Sequence, residues 1–207
     1  MFPKTRKLAY GLEIPLMGLG TSMIETIIEN EGTPQEKIIS TPADVVYHSI
    51  KSGVRLIDTA YKYGNEKYIG EGIKRALDER ICKREDLIII GKIWIAFRND
   101  PDKALRETLK KLQLDYIDIY MDHWPSGKDY REDLEDRFEM VSINEFWPKM
   151  EKLLEKKEEK NGKIVQKVKY LGVSNYNVQC LCNLLSFCRI RPIVNEIEYH
   201  LFLYKRN

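Results

Sequence analysis

The chain has 207 residues, enough for one sizeable domain with a buried core. Hydrophobic residues make up 43% and charged residues 32%, and 34 basic against 32 acidic residues leave a formal charge of +2. That balance gives no reason to expect nucleic acid or an anionic membrane as partner, and no apolar run approaches the roughly 20 residues that span a bilayer.

Taken in chain order, KLAYGLEIPLMGLGT holds two short apolar pieces around Gly11 and reads as a hairpin leading into a first strand, IPLMGLG. Residues 22–40 are polar and irregular, a surface loop. Thr41-Pro42-Ala43-Asp44 then announces a helix, with a threonine cap, a proline in the first turn and an acid three residues on. That helix runs to Gly53. RLIDTA is a strand, and EKYIGEGIKRALDE is a helix with Ile69, Ile73 and Leu77 on one face. LIIIGKIW is a nearly continuous apolar run, as in a strand buried on both faces. Asp100-Pro101 opens a helix with Leu105, Leu109 and Leu112 as its inner stripe, and the strand YIDIYMDHW follows. Residues 126–142 read as a charged loop. FWPKMEKLLEKKEEK reads as a helix closed by Gly162, its charge run the solvated face. The strand VKYLGVSNY, a cysteine-bearing helix and the strand PIVNEIEYHLF complete about six strands and five helices. Such alternation with short links predicts a parallel α/β sheet with right-handed crossovers, whereas a closed (β/α) barrel needs eight units.

Of the four cysteines, Cys180, Cys182 and Cys188 share one leucine-rich segment and Cys82 stands apart. No second ligand pair accompanies them, so no metal site is expected. They read as reduced thiols packed in a helix. Reduced thiols, and an N-terminus without a signal-peptide core, predict a cytoplasmic protein.

Four polar residues lie at or just past the ends of these strand-like runs: Asp58, Tyr63, Lys92 and His123. In a parallel barrel or open α/β sheet the carboxyl ends of the strands open into one crevice, so these side chains would converge. Lys92 interrupts a very apolar strand, which is a poor place for a surface lysine. Singly, the other three have plain structural uses: a loop cap, an ordinary tyrosine, a core histidine. Together they form an acid. A phenol ionises near pH 10, a neighbouring ammonium lowers that value, a carboxylate fixes the ammonium, and an imidazole orients a substrate oxygen. Such a group can protonate a developing alkoxide but needs an external hydride donor.

With these residues in view, the sequence resembles the aldo-keto reductases. IDTAYKYGNEKYIGEGI is similar to the signature DTAxxYGNExxxG, with Asp58 and Tyr63 five apart. Lys92 in IIIGKIW and His123 in LDYIDIYMDHWP stand where that family keeps its lysine and histidine. YLGVSNYN resembles the strand that holds the nicotinamide carboxamide, here Ser174 and Asn175. GLGT resembles the turn under the cofactor, here Gly20 and Thr21. The resemblance implies a (β/α)8 TIM barrel of which residues 1–207 form a single domain without the last two βα units and the segment that binds the cofactor phosphate. It implies reduction of aldehydes or ketones with NADPH, NADH being possible, with Tyr63 as general acid, Lys92 tuning it, Asp58 anchoring Lys92 and His123 positioning the carbonyl, and with Gly20, Thr21, Asp58, Ser174, Asn175 and Glu196 as the cofactor-binding set. Trp94 and Trp124 are expected walls for a small hydrophobic or aromatic substrate. His48 and His200 are expected to be structural.

Two departures stand out. Glu196 occupies a place where the family commonly has glutamine against the carboxamide, and a carboxylate offers acceptors only. Ser22 replaces a common aromatic residue at the pocket wall. Two open barrel edges raise the expectation of a partner chain covering them. They also leave an alternative in a different class: a catalytically impaired, structural or regulatory subunit.

Overall fold

The structure, a computed structural model, describes residues 4–24, 41–125, 141–160 and 162–203. Residues 25–40 and 126–140, which make up most of the two expected loops, lie outside the described residues.

An antiparallel hairpin comes first: β1 (Thr5–Lys7) pairs with β2 (Glu13–Pro15), Thr5 opposite Pro15. The expected strand IPLMGLG therefore divides between β2 and the two-residue β3 (Leu19–Gly20). Six parallel strands follow in one curled sheet: β3, β4 (Leu56–Asp58), β5 (Ile88–Ile93), β6 (Ile117–Asp122), β9 (Val168–Ser174) and β10 (Asn195–Glu196), each hydrogen-bonded to the next in that order. Helices α1 (Pro42–Lys51), α2 (Glu66–Asp78), α3 (Pro101–Leu112), α4 (Ile143–Leu153) and α5 (Val178–Phe187) lie along its outer side. The result is part of a (β/α)8 barrel.

The helices start where their caps dictate. Thr41, Asp100, Ser142 and Asn177 each accept a backbone N–H from three residues downstream, satisfying a donor that the helix cannot satisfy itself. The two glycines of α2 allow close approach on both sides. A Cβ at Gly70 would lie 2.4 Å from the Leu112 carbonyl oxygen, and one at Gly72 would lie 2.4 Å from that of Ala43. The main core lies between sheet and helices, with Val46, Ile50, Ile57, Ile69, Ile73, Ile89, Leu105, Trp147, Val168 and Leu171 all buried.

Strand alternation sorts the other face. Leu56, Ile88, Ile90, Ile119, Met121, Tyr170 and Val194 form a second cluster inside the curl, closed by Leu12 and Ile14 of the hairpin region. Continued two residues at a time toward the carboxyl ends, the same inward positions become Asp58, Lys92, His123, Ser174 and Glu196. The barrel interior is thus apolar at depth and polar at one mouth.

One helix ends early. The expected helix through KLLEKKEEK stops at Leu153; β7 (Lys157–Lys160) and β8 (Lys163–Gln166) then form an exposed antiparallel hairpin, Lys160 opposite Lys163. Gly162 has φ 72°, a left-handed turn conformation open to glycine, and Asn-Gly is strong hairpin-turn sequence. The run of six charged residues from Glu155 to Lys160 carries no apolar period to hold it on a helix.

All four cysteines are free thiols. Cys180, Cys188 and Cys82 pack against the core and Cys182 is exposed, so only part of the expected packing holds, and two of the four lie outside the helix. Among the described residues no cluster of metal-ligand type occurs, and no helix is long and apolar enough to cross a membrane.

Candidate active site

Lys92 is the centre of the mouth. Its side chain is 1% exposed, at the end of β5. Its Nζ lies 2.5 Å from both carboxylate oxygens of Asp58 and 3.3 Å from the Tyr63 hydroxyl. Asp58 ends β4, and Tyr63 closes a 3-10 turn, Tyr61–Tyr63, whose cap Gly64 has φ 73°. That left-handed glycine turns the chain back so that α2 can begin at Glu66. A lysine ammonium can only donate, so Tyr63 accepts from it and keeps its own O–H for another acceptor.

His123 follows β6. Its ring meets Tyr63 edge-on at 5.6 Å between centroids and Trp94 at 5.5 Å. Nδ1 is buried without a hydrogen-bond partner, which leaves Nε2 as the nitrogen available to a ligand. Trp124 lies beside the imidazole, 6.5 Å between centroids, and is 43% exposed at the rim, whereas Trp94 is buried. The Lys62 ammonium sits 4.7 Å over the Trp94 ring.

The predicted cofactor residues divide. The Asn175 amide donates to the His123 carbonyl (2.9 Å) and to the Ser174 hydroxyl (3.1 Å). Ser174 can then donate its proton, and the Asn175 carbonyl and the Glu196 carboxylate can accept. That set matches a carboxamide, which presents one carbonyl and one NH2, so the residues fit a nicotinamide. Thr21 differs: it is fully buried, and its N–H and hydroxyl both donate to the Asp58 carbonyl (3.0 and 2.9 Å). Thr21 clamps the end of β4 and turns no polar group to the mouth. Gly20 is exposed, with open space where a Cβ would stand.

Glu196 reaches Lys92: its Oε1 lies 2.9 Å from Nζ. Two carboxylates therefore share one ammonium. Burial, with Glu196 adding to it and Lys92 opposing, pushes the Asp58 carboxyl up to about 7. Burial also disfavours the charge on Lys92, but Asp58 and Glu196 outweigh it and hold the ammonium above its ordinary range. His123 is pushed down to about 4 by burial and by Lys92, so its ring is neutral at neutral pH. Tyr63 corrects the expectation from sequence. Lys92 does pull its pKa down, but burial and the two carboxylates raise it further, and the net direction is upward.

A second buried group supports the mouth and was not foreseen. Arg98 donates to Asp122 (2.5 Å), to the Trp124 carbonyl (2.6 Å) and to the Val141 carbonyl (3.1 Å), while Tyr176 donates to Asp122 (2.7 Å). It ties β6, the His123-Trp124 segment and the start of α4 together. Asn65, also unforeseen, donates to the Thr21 carbonyl at 2.7 Å. His48 is exposed on α1 against Tyr47, and His200 pairs with Glu198; neither lies among the mouth residues.

The aldo/keto reductase family model matches residues 16–207. An aldose reductase of Encephalitozoon cuniculi is 35% identical over all of this chain and 64% of its own length. An NAD(P)H-dependent D-xylose reductase of Pyricularia oryzae is 34% identical over all of this chain and 62% of its own. An aldo-keto reductase of Bombyx mori, solved in complex with NADP, superposes with a TM-score of 0.78 at 30% identity, covering 96% of this chain and 59% of that one. The chain thus spans about three-fifths of the length of these relatives. A family match over nearly the whole sequence, on a sheet that gathers the motif residues at one mouth, means that this chain belongs to the aldo/keto reductase family.

Proposed function

We propose that the protein reduces aldehydes or ketones to alcohols with NADPH, or with NADH, and that Tyr63 is the general acid. The observation that carries this reading is the 3.3 Å approach of Lys92 Nζ to the Tyr63 hydroxyl, in the mouth that also holds a neutral imidazole. The names of the relatives support carbonyl reduction, with open-chain aldoses as one substrate class.

When bound, a reduced nicotinamide supplies the hydride. The chain's own residues do the rest. His123 Nε2 hydrogen-bonds the carbonyl oxygen and orients it between Trp94 and Trp124. Negative charge builds on that oxygen as its carbon is reduced, and the Tyr63 O–H passes its proton there. The phenolate left behind faces the Lys92 ammonium, which the Asp58 and Glu196 carboxylates together keep charged and fixed. Ser174 and Asn175 hold the carboxamide. The barrel wall excludes bulk water behind Lys92, so that the ammonium acts at low effective dielectric.

The test is carbonyl-dependent consumption of NADPH by the purified protein, alongside quenching of tryptophan fluorescence when NADPH is added. Both responses are expected. A protein that neither binds NADPH nor NADH nor reduces an aldehyde would be the structural or regulatory relative instead.

A further inference from the structure

Lys92 has three N–H groups and three partners: Asp58 at 2.5 Å, Glu196 at 2.9 Å and Tyr63 at 3.3 Å. No donor of the ammonium remains for a fourth group. The three partners come from three elements: β4, β10 and the turn after β4. Glu196 reaches Lys92 for backbone reasons. Its residue pairs with Ser174 in the parallel register and its carbonyl accepts from the Asn175 N–H at 2.8 Å, which turns the side chain inward. Glu196 is 38% exposed where Lys92 is 1%, so it is the member of the cluster nearest solvent.

We propose that Glu196 is a positioning residue for Lys92: it divides the ammonium with Asp58, and the charge on these two carboxylates sets how strongly Lys92 favours the Tyr63 phenolate. The charged groups of the mouth among the described residues are Asp58, Lys92 and Glu196, with the exposed Lys62 ammonium at the rim over the Trp94 ring, and the neutral titratable ones are Tyr63 and His123. With both carboxylates ionised, the ammonium is divided between them and the cluster carries one net negative charge, which opposes a phenolate. With one carboxylate protonated, the cluster is neutral and the ammonium is free to favour the phenolate. Asp58 takes up that proton near neutral pH, because it is buried and because Glu196 stands beside it. His123 contributes no charge in that range. The consequence for catalysis rests on the reductase reading above: reduction should be faster on the acid side of the Asp58 ionisation.

The titration does not rest on that reading. Follow the Asp58 carboxyl by carbon NMR of the whole protein without cofactor or substrate, in the wild type and in Glu196→Gln. The wild-type midpoint is expected at about 7. In Glu196→Gln it should fall by about one unit or more, since a like-charged neighbour has been removed. The Tyr63 phenol, followed by ultraviolet difference against Tyr63→Phe, should ionise at lower pH in the same variant. Glu196→Asp keeps the charge but draws it back by one methylene, and should shift both groups in the same direction by less. An Asp58 midpoint unchanged in both variants would overturn the proposal. Absence of NADPH turnover would instead count against the reductase reading and leave the titration result standing.

Discussion

Replacing Lys92 with methionine removes the ammonium and keeps a chain of similar length in the same buried slot. At 3.3 Å, a full negative charge on the Tyr63 oxygen is favoured by about 5 kcal/mol at an effective dielectric of about 20. If half that charge has developed in the transition state, the variant loses about 2.5 kcal/mol, or on the order of a hundredfold in kcat. The assay is NADPH consumption with a saturating aldehyde, with cofactor affinity measured separately by fluorescence. A kcat within about threefold of wild type would refute the coupling of Lys92 to Tyr63. The same variant has a pH-dependent stability. It leaves Asp58 and Glu196 facing each other without a cation, so the folded-state Asp58 pKa moves further above its already raised position near 7, while the unfolded value stays at 3.8. A folded acid with a raised pKa retains a proton that the unfolded chain releases. The stability deficit of Lys92→Met is therefore full above that folded pKa and shrinks as pH falls, so melts at about pH 8.5 should show a larger loss than melts at about pH 6.

Arg98→Met should destabilise the protein by about 3–5 kcal/mol, because it strands the buried Asp122 carboxylate; the double variant Arg98→Met/Asp122→Leu should recover much of that. Urea unfolding checks this, and equal losses in the single and double variants would show that the network is not a charge pair at all. The His123 ring should stay neutral at about pH 5, with its proton NMR titration centred at about 4, because burial and Lys92 both oppose its charge. A midpoint near 6.5 would mean that the imidazole is solvated and away from the ammonium.

The part of the site that was legible in sequence was legible for one reason. Asp58, Lys92 and His123 are polar residues at or just beyond the ends of apolar strands, and a period of two decides which way each side chain points. Glu196 obeyed the same rule and was noticed, but its partner was not, because contact between β10 and β5 depends on the curvature of the sheet and on no spacing in the chain. Asp122 carried the same signal as Lys92, a charge inside an apolar strand, yet its parity turns it outward to Arg98 and Tyr176, under the mouth. The direction of the Tyr63 shift was also out of reach. It depends on how burial weighs against one ammonium and two carboxylates, and burial exists only once the barrel has curled. The KEEK hairpin was missed because charge runs without apolar residues fit helix and strand alike, and Asn161-Gly162 was the only local arbiter.

The most direct measurement is the single-turnover rate of aldehyde reduction by Tyr63→Phe with NADPH bound. Loss of the phenol proton should slow that step by about 10²- to 10⁴-fold while the dissociation constant for NADPH stays where it was. A variant that reduces aldehydes at the wild-type rate would contradict the assignment of Tyr63 as the acid that Lys92 serves.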